Sequence, residues 1–147
     1  MINYEINANI TEWINKNKDR IIEKWIKLCE IPSIKSEAKP GAPFGENCAE
    51  ALRYASSLFE SDKIDSKLYA NSGYALATYG NGEKTIGLFS HSDVVPVGED
   101  WIFTEPFKPI IKDGAINFTV NKNALFIKIN CFHSYHLKRI LLYSNIV

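Results

Sequence analysis

The last 33 residues of the sequence lack acidic side chains altogether. Residues 1–114 contain all 17 acidic and 13 of the 17 basic side chains, and residues 115–147 contain the other four bases. The formal net charge of zero is therefore the sum of an acidic segment and a basic tail. Because the bases of the tail alternate with isoleucine, leucine and phenylalanine, the tail is unlike a phosphate-binding patch. We expect no nucleic-acid partner.

Cysteines are few and long apolar runs are missing, and we expect no signal peptide. Three scattered cysteines (Cys29, Cys48 and Cys131) exclude a disulfide framework and indicate a reducing, cytoplasmic location. No uncharged apolar run approaches the roughly 18 residues of a membrane span, so we expect no membrane partner. The acidic N terminus lacks the basic and apolar regions of a signal peptide. With 46% apolar and 23% charged residues, the chain is typical of a globular protein.

Two amphipathic helices are predicted in the first 60 residues. Apolar residues at spacings of three, four and seven predict a helix from about residue 5 to 29, which ends before Pro32 because a residue preceding proline avoids helical geometry. A second apolar stripe predicts a helix between Phe44 and Phe59. We interpret both stripes as faces that pack in the core.

After residue 62 the apolar period changes to two, which indicates strands. Strands are predicted over residues 64–69, 74–79 and 85–90, with turn residues at 80–83. Residues 106–112 are predicted to be extended, and Asp113-Gly114 is typical of a hairpin turn. Helices that precede and surround these strands predict an α/β fold.

The residues best suited to chemistry follow the third predicted strand. His91 and Asp93 are two positions apart, so alternation places both side chains on the same side of the chain. The carboxyl end of a strand is the usual place for ligand-binding groups in α/β sheets. A metal-bound histidine commonly has a carboxylate beside it that fixes the ring. From the residues alone, a structural hydrogen-bonded pair is favoured over a metal or catalytic role.

Several motifs in order resemble one enzyme family. The chain is similar to the co-catalytic zinc metallopeptidases that include aminoacylase, succinyl-diaminopimelate desuccinylase and the PepV-type dipeptidases, and it is closest to the dipeptidase branch. The resemblance extends from about residue 10 to 114. The matching segments are Ile31-Pro32-Ser33-Ile34-Lys35, Ala38-Lys39-Pro40-Gly41-Ala42-Pro43-Phe44-Gly45, His91-Ser92-Asp93-Val94-Val95-Pro96-Val97-Gly98, Trp101, Pro106-Phe107 and Ile111-Lys112-Asp113-Gly114.

The resemblance implies a fold, a reaction and two site residues. Residues 1–114 would form the N-terminal part of the catalytic domain, with helices packed on a mixed sheet. The family hydrolyses the amide bond of short peptides with a water held between two zinc ions, and a glutamate acts as general base. His91 matches a zinc ligand. Asp93 matches the catalytic-site carboxylate that orients that histidine.

The sequence departs from the family after the Asp-Gly turn. The family continues to an aspartate that bridges both metals, but here the faint echo of that motif, Thr119-Val120, is followed by Asn121. An amide is neutral and cannot bridge two divalent ions as a carboxylate does. No acid remains after Asp113, so the general base and nearly all of the metal ligands are absent. The resemblance therefore implies an incomplete domain with one weak zinc contact at best.

This departure divides the chain into two regions and leaves three interpretations open. Residues 1–114 are interpreted as an incomplete dipeptidase-like domain and residues 115–147 as a divergent, acid-free tail, read out of frame or through a gene remnant. The alternatives are a non-catalytic binding or regulatory remnant of the fold, and a fragment complemented by a separately encoded half. A Cys-x-His-x-x-His cluster at Cys131, His133 and His136 resembles a metal site, but we favour an incidental cluster because no acidic partner accompanies it.

Overall fold

Two helices begin the fold, as the apolar spacing predicts. A computed structural model, which describes residues 4–83, 85–97, 105–112, 115–117, 130–131 and 139–145, places α1 at Tyr4–Glu30 and α2 at Glu46–Ser61. α1 ends just before the Ile31-Pro32 pair, where the proline excludes helical geometry. Gly45 precedes α2 with a φ of 96°, a conformation that glycine adopts without the steric cost of a Cβ.

The described strands form one mixed sheet and one hairpin. Their bounds are β1 (Asp65–Tyr69), β2 (Tyr74–Tyr79), β3 (Thr85–His91), β4 (Ile110–Lys112), β5 (Ala115–Asn117), β6 (Asn130–Cys131) and β7 (Arg139–Asn145), with a 3-10 turn at Ala70–Ser72 between β1 and β2. The sheet has the order β1-β2-β7-β3-β6, in which β3 and β7 are parallel and the other neighbours antiparallel. β4 and β5 pair separately. The predicted α/β class with a mixed sheet is confirmed.

The acid-free tail supplies the central strand. β7 lies between β2 and β3, with Leu142 opposite Ala77 on one side and opposite Leu88 on the other. This run forms a strand because β2 and β3 each present a row of backbone N–H and C=O groups that β7 satisfies on both of its edges. The predicted Asp113-Gly114 turn lies outside the described residues, but Lys112 and Ala115 on either side of it are paired.

The core lies between α2 and one face of the sheet. α2 contacts β1 and β2, and its residues Cys48, Ala51 and Leu52 are at most 1% exposed. Ala75 and Ala77 of β2 are also buried. The short alanine side chains let the helix approach the sheet closely, so the predicted α2 stripe is a core face. His91 occupies the opposite face, because along β3 it alternates with Ile86 and Leu88.

The apolar stripe of α1 is largely exposed, although it was predicted to pack in the core. Its described side chains are exposed or half-buried, and large apolar residues such as Trp13 and Trp25 are 53% and 45% exposed. α1 packs against α2 through polar contacts near its C-terminal end, where Arg20 and Lys24 reach Asp62. The prediction of a helix is therefore confirmed, and the prediction that its apolar face packs in the core is wrong. Within the described ranges no helix combines the length and apolar character needed to cross a membrane.

Candidate metal-binding site at the end of strand β3

The candidate site is built where β3 meets the loop that follows α1. β3 ends at His91, and Val94 then forms an isolated parallel bridge with Ile34. The backbone N–H of Val94 donates to the Ser33 carbonyl at 3.0 Å, and the Ser33 hydroxyl donates to the Ser92 carbonyl at 2.7 Å. Ser33 and Ser92 are both buried. Two hydrogen bonds therefore fix the backbone on both sides of Asp93.

The structure brings His91 and Asp93 together, as alternation along the chain predicts. Nδ1 of His91 lies 3.2 Å from Oδ1 of Asp93 and 3.1 Å from its backbone carbonyl oxygen. The two side chains are partly buried, at 29% and 12% exposure. Two acceptors around Nδ1 favour the tautomer that carries its proton there, which leaves the Nε2 lone pair available to a ligand.

Cys48 lies behind this loop and belongs to its structural support. Its thiol donates to the Ser33 carbonyl at 3.3 Å. Burial raises the pKa of Cys48, and the nearby negative charge of Asp93 raises it further, whereas Lys35 lowers it. The thiol therefore stays protonated at neutral pH, which makes it a weak nucleophile. The sequence carried no signal that Cys48 lies beside the site.

These residues do not form a complete zinc site. Structural zinc usually has four protein ligands and catalytic zinc three, with cysteine, histidine and carboxylates as donors. In the part of the chain that the structure describes, no group of three or more such side chains is placed to hold a metal. His91 and Asp93 supply two possible metal ligands, and a carboxylate oxygen of Asp93 is directed at the His91 ring. His133 and His136 of the second sequence cluster, and the Cys131 side chain, lie outside what is described.

Comparison with known proteins relates this chain to dipeptidases. It is 32% identical over 106 residues to the Beta-Ala-Xaa dipeptidase of Lactobacillus delbrueckii, and 32% identical over 107 residues to a Staphylococcus epidermidis protein whose name assigns it to the dipeptidases. These matches span 70% and 71% of this chain but 22% of each relative. The chain thus spans about a fifth of the length of these relatives. No family model matches the chain.

A solved structure confirms the fold independently. The dipeptidase Dug1p of Saccharomyces cerevisiae superposes with a TM-score of 0.57 over 72% of this chain and 25% of that protein. The sequence identity is 18%, so this likeness concerns the fold alone. In both comparisons the matched region makes up a quarter or less of the longer protein.

Proposed function

We propose that this chain derives from the N-terminal portion of a PepV-type, zinc-dependent hydrolase of short peptides; its similarity to dipeptidases over about 70% of its length supports this. The 147 residues by themselves are inactive in this proposal. The residues retained from the site are His91, as one zinc contact, and Asp93, as the carboxylate that orients it. The remaining ligands and the general base lie in the part of the dipeptidase that these residues do not include.

One observation carries the proposal: the geometry of the His91–Asp93 pair. Asp93 contacts Nδ1 through both its carboxylate and its backbone oxygen. Such an arrangement supports an imidazole that presents Nε2 to a metal. A zinc ion bound there in an intact dipeptidase supplies a Lewis acid and an activated water. Among the residues that the structure describes, the pair orients one donor, and no third His, Cys, Asp or Glu side chain joins it in a metal-binding group.

The absence of acids beyond Asp113 supports inactivity of the chain alone. Amide hydrolysis by this family needs a glutamate base and several carboxylate ligands, and the sequence from Gly114 to Val147 contains neither aspartate nor glutamate. Asn121 replaces the carboxylate expected at the bridging position. A lone imidazole binds zinc weakly because a stable site requires several preorganised ligands.

The division of the chain at residue 114 belongs to the same proposal. Residues 1–114 carry the dipeptidase-like motifs, and residues 115–147 form the acid-free tail. Reading the coding DNA in all three forward frames tests this division. An Asp-, Glu- and His-bearing continuation downstream in another frame supports it, whereas no such continuation in any frame contradicts it. Cys29 and Cys48 are free thiols, which supports the proposed cytoplasmic location.

The position of β7 favours a second candidate, a folded module without catalysis. β7 comes from the tail but lies in the centre of the sheet, paired along both edges. A chain with this strand in place satisfies the backbone of β2 and β3 and is expected to unfold cooperatively. In that case the chain keeps the fold as a binding or regulatory remnant. Non-cooperative melting with aggregation from the outset counts against this candidate.

A calorimetric titration of the full chain with zinc tests the proposed site. We expect weak binding of no more than one zinc ion, which the variant His91→Ala abolishes. The matched control is Asn15→Ala, on the exposed part of α1 far along the chain from the site, which leaves the weak binding unchanged. Tight binding of two zinc ions, or binding that survives in His91→Ala, contradicts the proposal.

A further inference from the structure

The connection between β2 and β3 contains the only asparagine-glycine pair of the sequence, Asn81-Gly82. Asn81 is exposed, and both residues lie outside the helices and strands. The side-chain carbonyl carbon of an asparagine can be attacked by the backbone nitrogen of the next residue. A following glycine hinders this attack least, because it has no Cβ. Solvent access and the neighbouring glycine therefore mark the pair as a place for spontaneous chemical change.

The insertion of β7 keeps this pair out of a tight hairpin turn. An asparagine-glycine pair is typical of a two-residue hairpin turn, in which both residues have positive φ. Neither Asn81 nor Gly82 has a positive φ here. Within the described sheet, β2 and β3 are not paired with each other, since β7 lies between them. The pair therefore lies in a connection that passes the beginning of β7, and a hairpin does not fix its backbone in one conformation.

The connection between β2 and β3 also has spare length. Tyr79 at the end of β2 pairs with Ile140 of β7. Thr85 at the start of β3 pairs with Arg139, the residue next to it. The two ends are thus about two strand spacings apart, or about 10 Å. The six Cα–Cα steps from residue 79 to residue 85 reach up to about 20 Å. The backbone at residues 81 and 82 therefore has room to adopt the geometry of attack.

We propose that Asn81 is a site of spontaneous deamidation and isomerisation in this chain. The backbone nitrogen of Gly82 loses its proton to hydroxide and attacks Cγ of Asn81, so that an N–Cγ bond forms and the Cγ–Nδ2 bond breaks. The released amide group takes a proton from water and leaves as ammonia. Water then opens the resulting cyclic imide at either of its carbonyl carbons. The products are an aspartate and its isomer, in which the backbone passes through Cγ.

The two products differ from the parent chain in charge and in backbone length. Either product adds one negative charge at residue 81 to a chain whose formal net charge is zero. The isomer also lengthens the backbone by one carbon atom, which the spare length between β2 and β3 accommodates. Residue 81 precedes the start of β3 and His91 lies at its end, so the strand separates them by about 20 Å. The modification is therefore independent of zinc binding and of dipeptide hydrolysis.

Incubation of the full chain in mildly alkaline buffer tests this site. We expect an acidic form to accumulate on ion-exchange chromatography, and to do so faster at higher pH because hydroxide takes the proton of the attacking nitrogen. Trypsin releases residues 68–84 as one peptide, in which fragment masses should assign the change from amide to acid to Asn81. Asn71 in the same peptide is an internal control. It lies in the 3-10 turn, its Oδ1 accepts from the Gly41 N–H at 3.1 Å, and it should keep its amide.

Three variants and a reference peptide separate this site from other sources of acidic forms. Asn81→Gln should remove the acidic form, whereas the matched change Asn71→Gln should leave its rate unchanged. Gly82→Ala should slow it about tenfold, because the added Cβ crowds the attacking nitrogen. The reference is a synthetic peptide of residues 77–86, too short to fold alone. The folded chain should react within about tenfold of this peptide, since the connection does not have to unlock first.

The same measurements can overturn the proposal. It fails if no acidic form appears in the period in which the peptide reacts, or if the acidic form persists in Asn81→Gln. A folded chain slower than the peptide by more than about tenfold shows a locked turn and also overturns it. The acidic form, once purified, should keep the urea midpoint of the parent chain. A lowered midpoint contradicts the spare length of the connection between β2 and β3.

Discussion

Removal of the Ser33 hydroxyl tests the hydrogen bonds that position the candidate site. In Ser33→Ala the buried donor to the Ser92 carbonyl is lost, while the backbone carbonyl of residue 33 still accepts from Val94 and from Cys48. The rest of the loop therefore remains in place. The substitution isolates one side-chain hydrogen bond, 2.7 Å long, between two residues that lie 59 positions apart.

The size of the effect follows from burial. Ser33 is 2% exposed and Ser92 is 9% exposed, so water replaces the lost donor poorly. A buried acceptor left without its partner costs about 1–3 kcal/mol, more than the roughly 1 kcal/mol net worth of an ordinary hydrogen bond. We expect Ser33→Ala to lower the free energy of unfolding by about 1–3 kcal/mol.

Urea denaturation followed by tryptophan fluorescence measures this loss. Ser57→Ala is the matched control, because the Ser57 hydroxyl donates to the Tyr54 carbonyl within the same helix and is exposed to solvent. The control should change stability by less than about 0.5 kcal/mol. Equal effects of the two substitutions would refute the reasoning that the contact between the two loops supports the site.

Three further changes test other parts of the fold. Gly45→Ala should destabilise the chain by about 1–3 kcal/mol more than Gly41→Ala, since both have positive φ but only the Cβ at position 45 meets a neighbouring side chain; thermal denaturation compares them. The Arg20 guanidinium lowers the pKa of Asp62, so the stabilisation that Asp62 contributes is complete above its unfolded-state pKa and is lost as the pH falls through its lower folded-state pKa. In a series of urea titrations at different pH values, Asp62→Asn should reduce the loss of stability at acid pH by at most about 1 kcal/mol, because this pair is exposed. Burial raises the pKa of Cys48, so iodoacetamide at pH 7.5 should label it, as read by mass spectrometry, only after denaturation, and rapid native labelling contradicts its burial.

Local patterns predicted the elements whose structure depends on nearby residues. The proline after Ile31, the turn residues near Gly80 and the change of period after residue 62 marked both helices and the first three strands within a few residues of their observed bounds. The His91–Asp93 contact was predictable for the same reason, because two positions along a strand fix which side each residue takes.

Contacts between distant segments could not be predicted in this way. The Ser33–Ser92 hydrogen bond and the insertion of β7 between β2 and β3 join residues with no periodic relation. The exposure of Trp13 and Trp25 was also unpredictable, because periodicity identifies an apolar face but not what lies against it.

Dipeptide hydrolysis by the full chain tests the central claim most directly. The chain is incubated with added zinc and β-alanyl dipeptides, beside the Beta-Ala-Xaa dipeptidase of Lactobacillus delbrueckii as a positive control, and released amino acid is measured. Our account predicts no release above the buffer rate, because no acid follows Asp113 to serve as base or metal ligand. Zinc-dependent turnover that His91→Ala abolishes would contradict it.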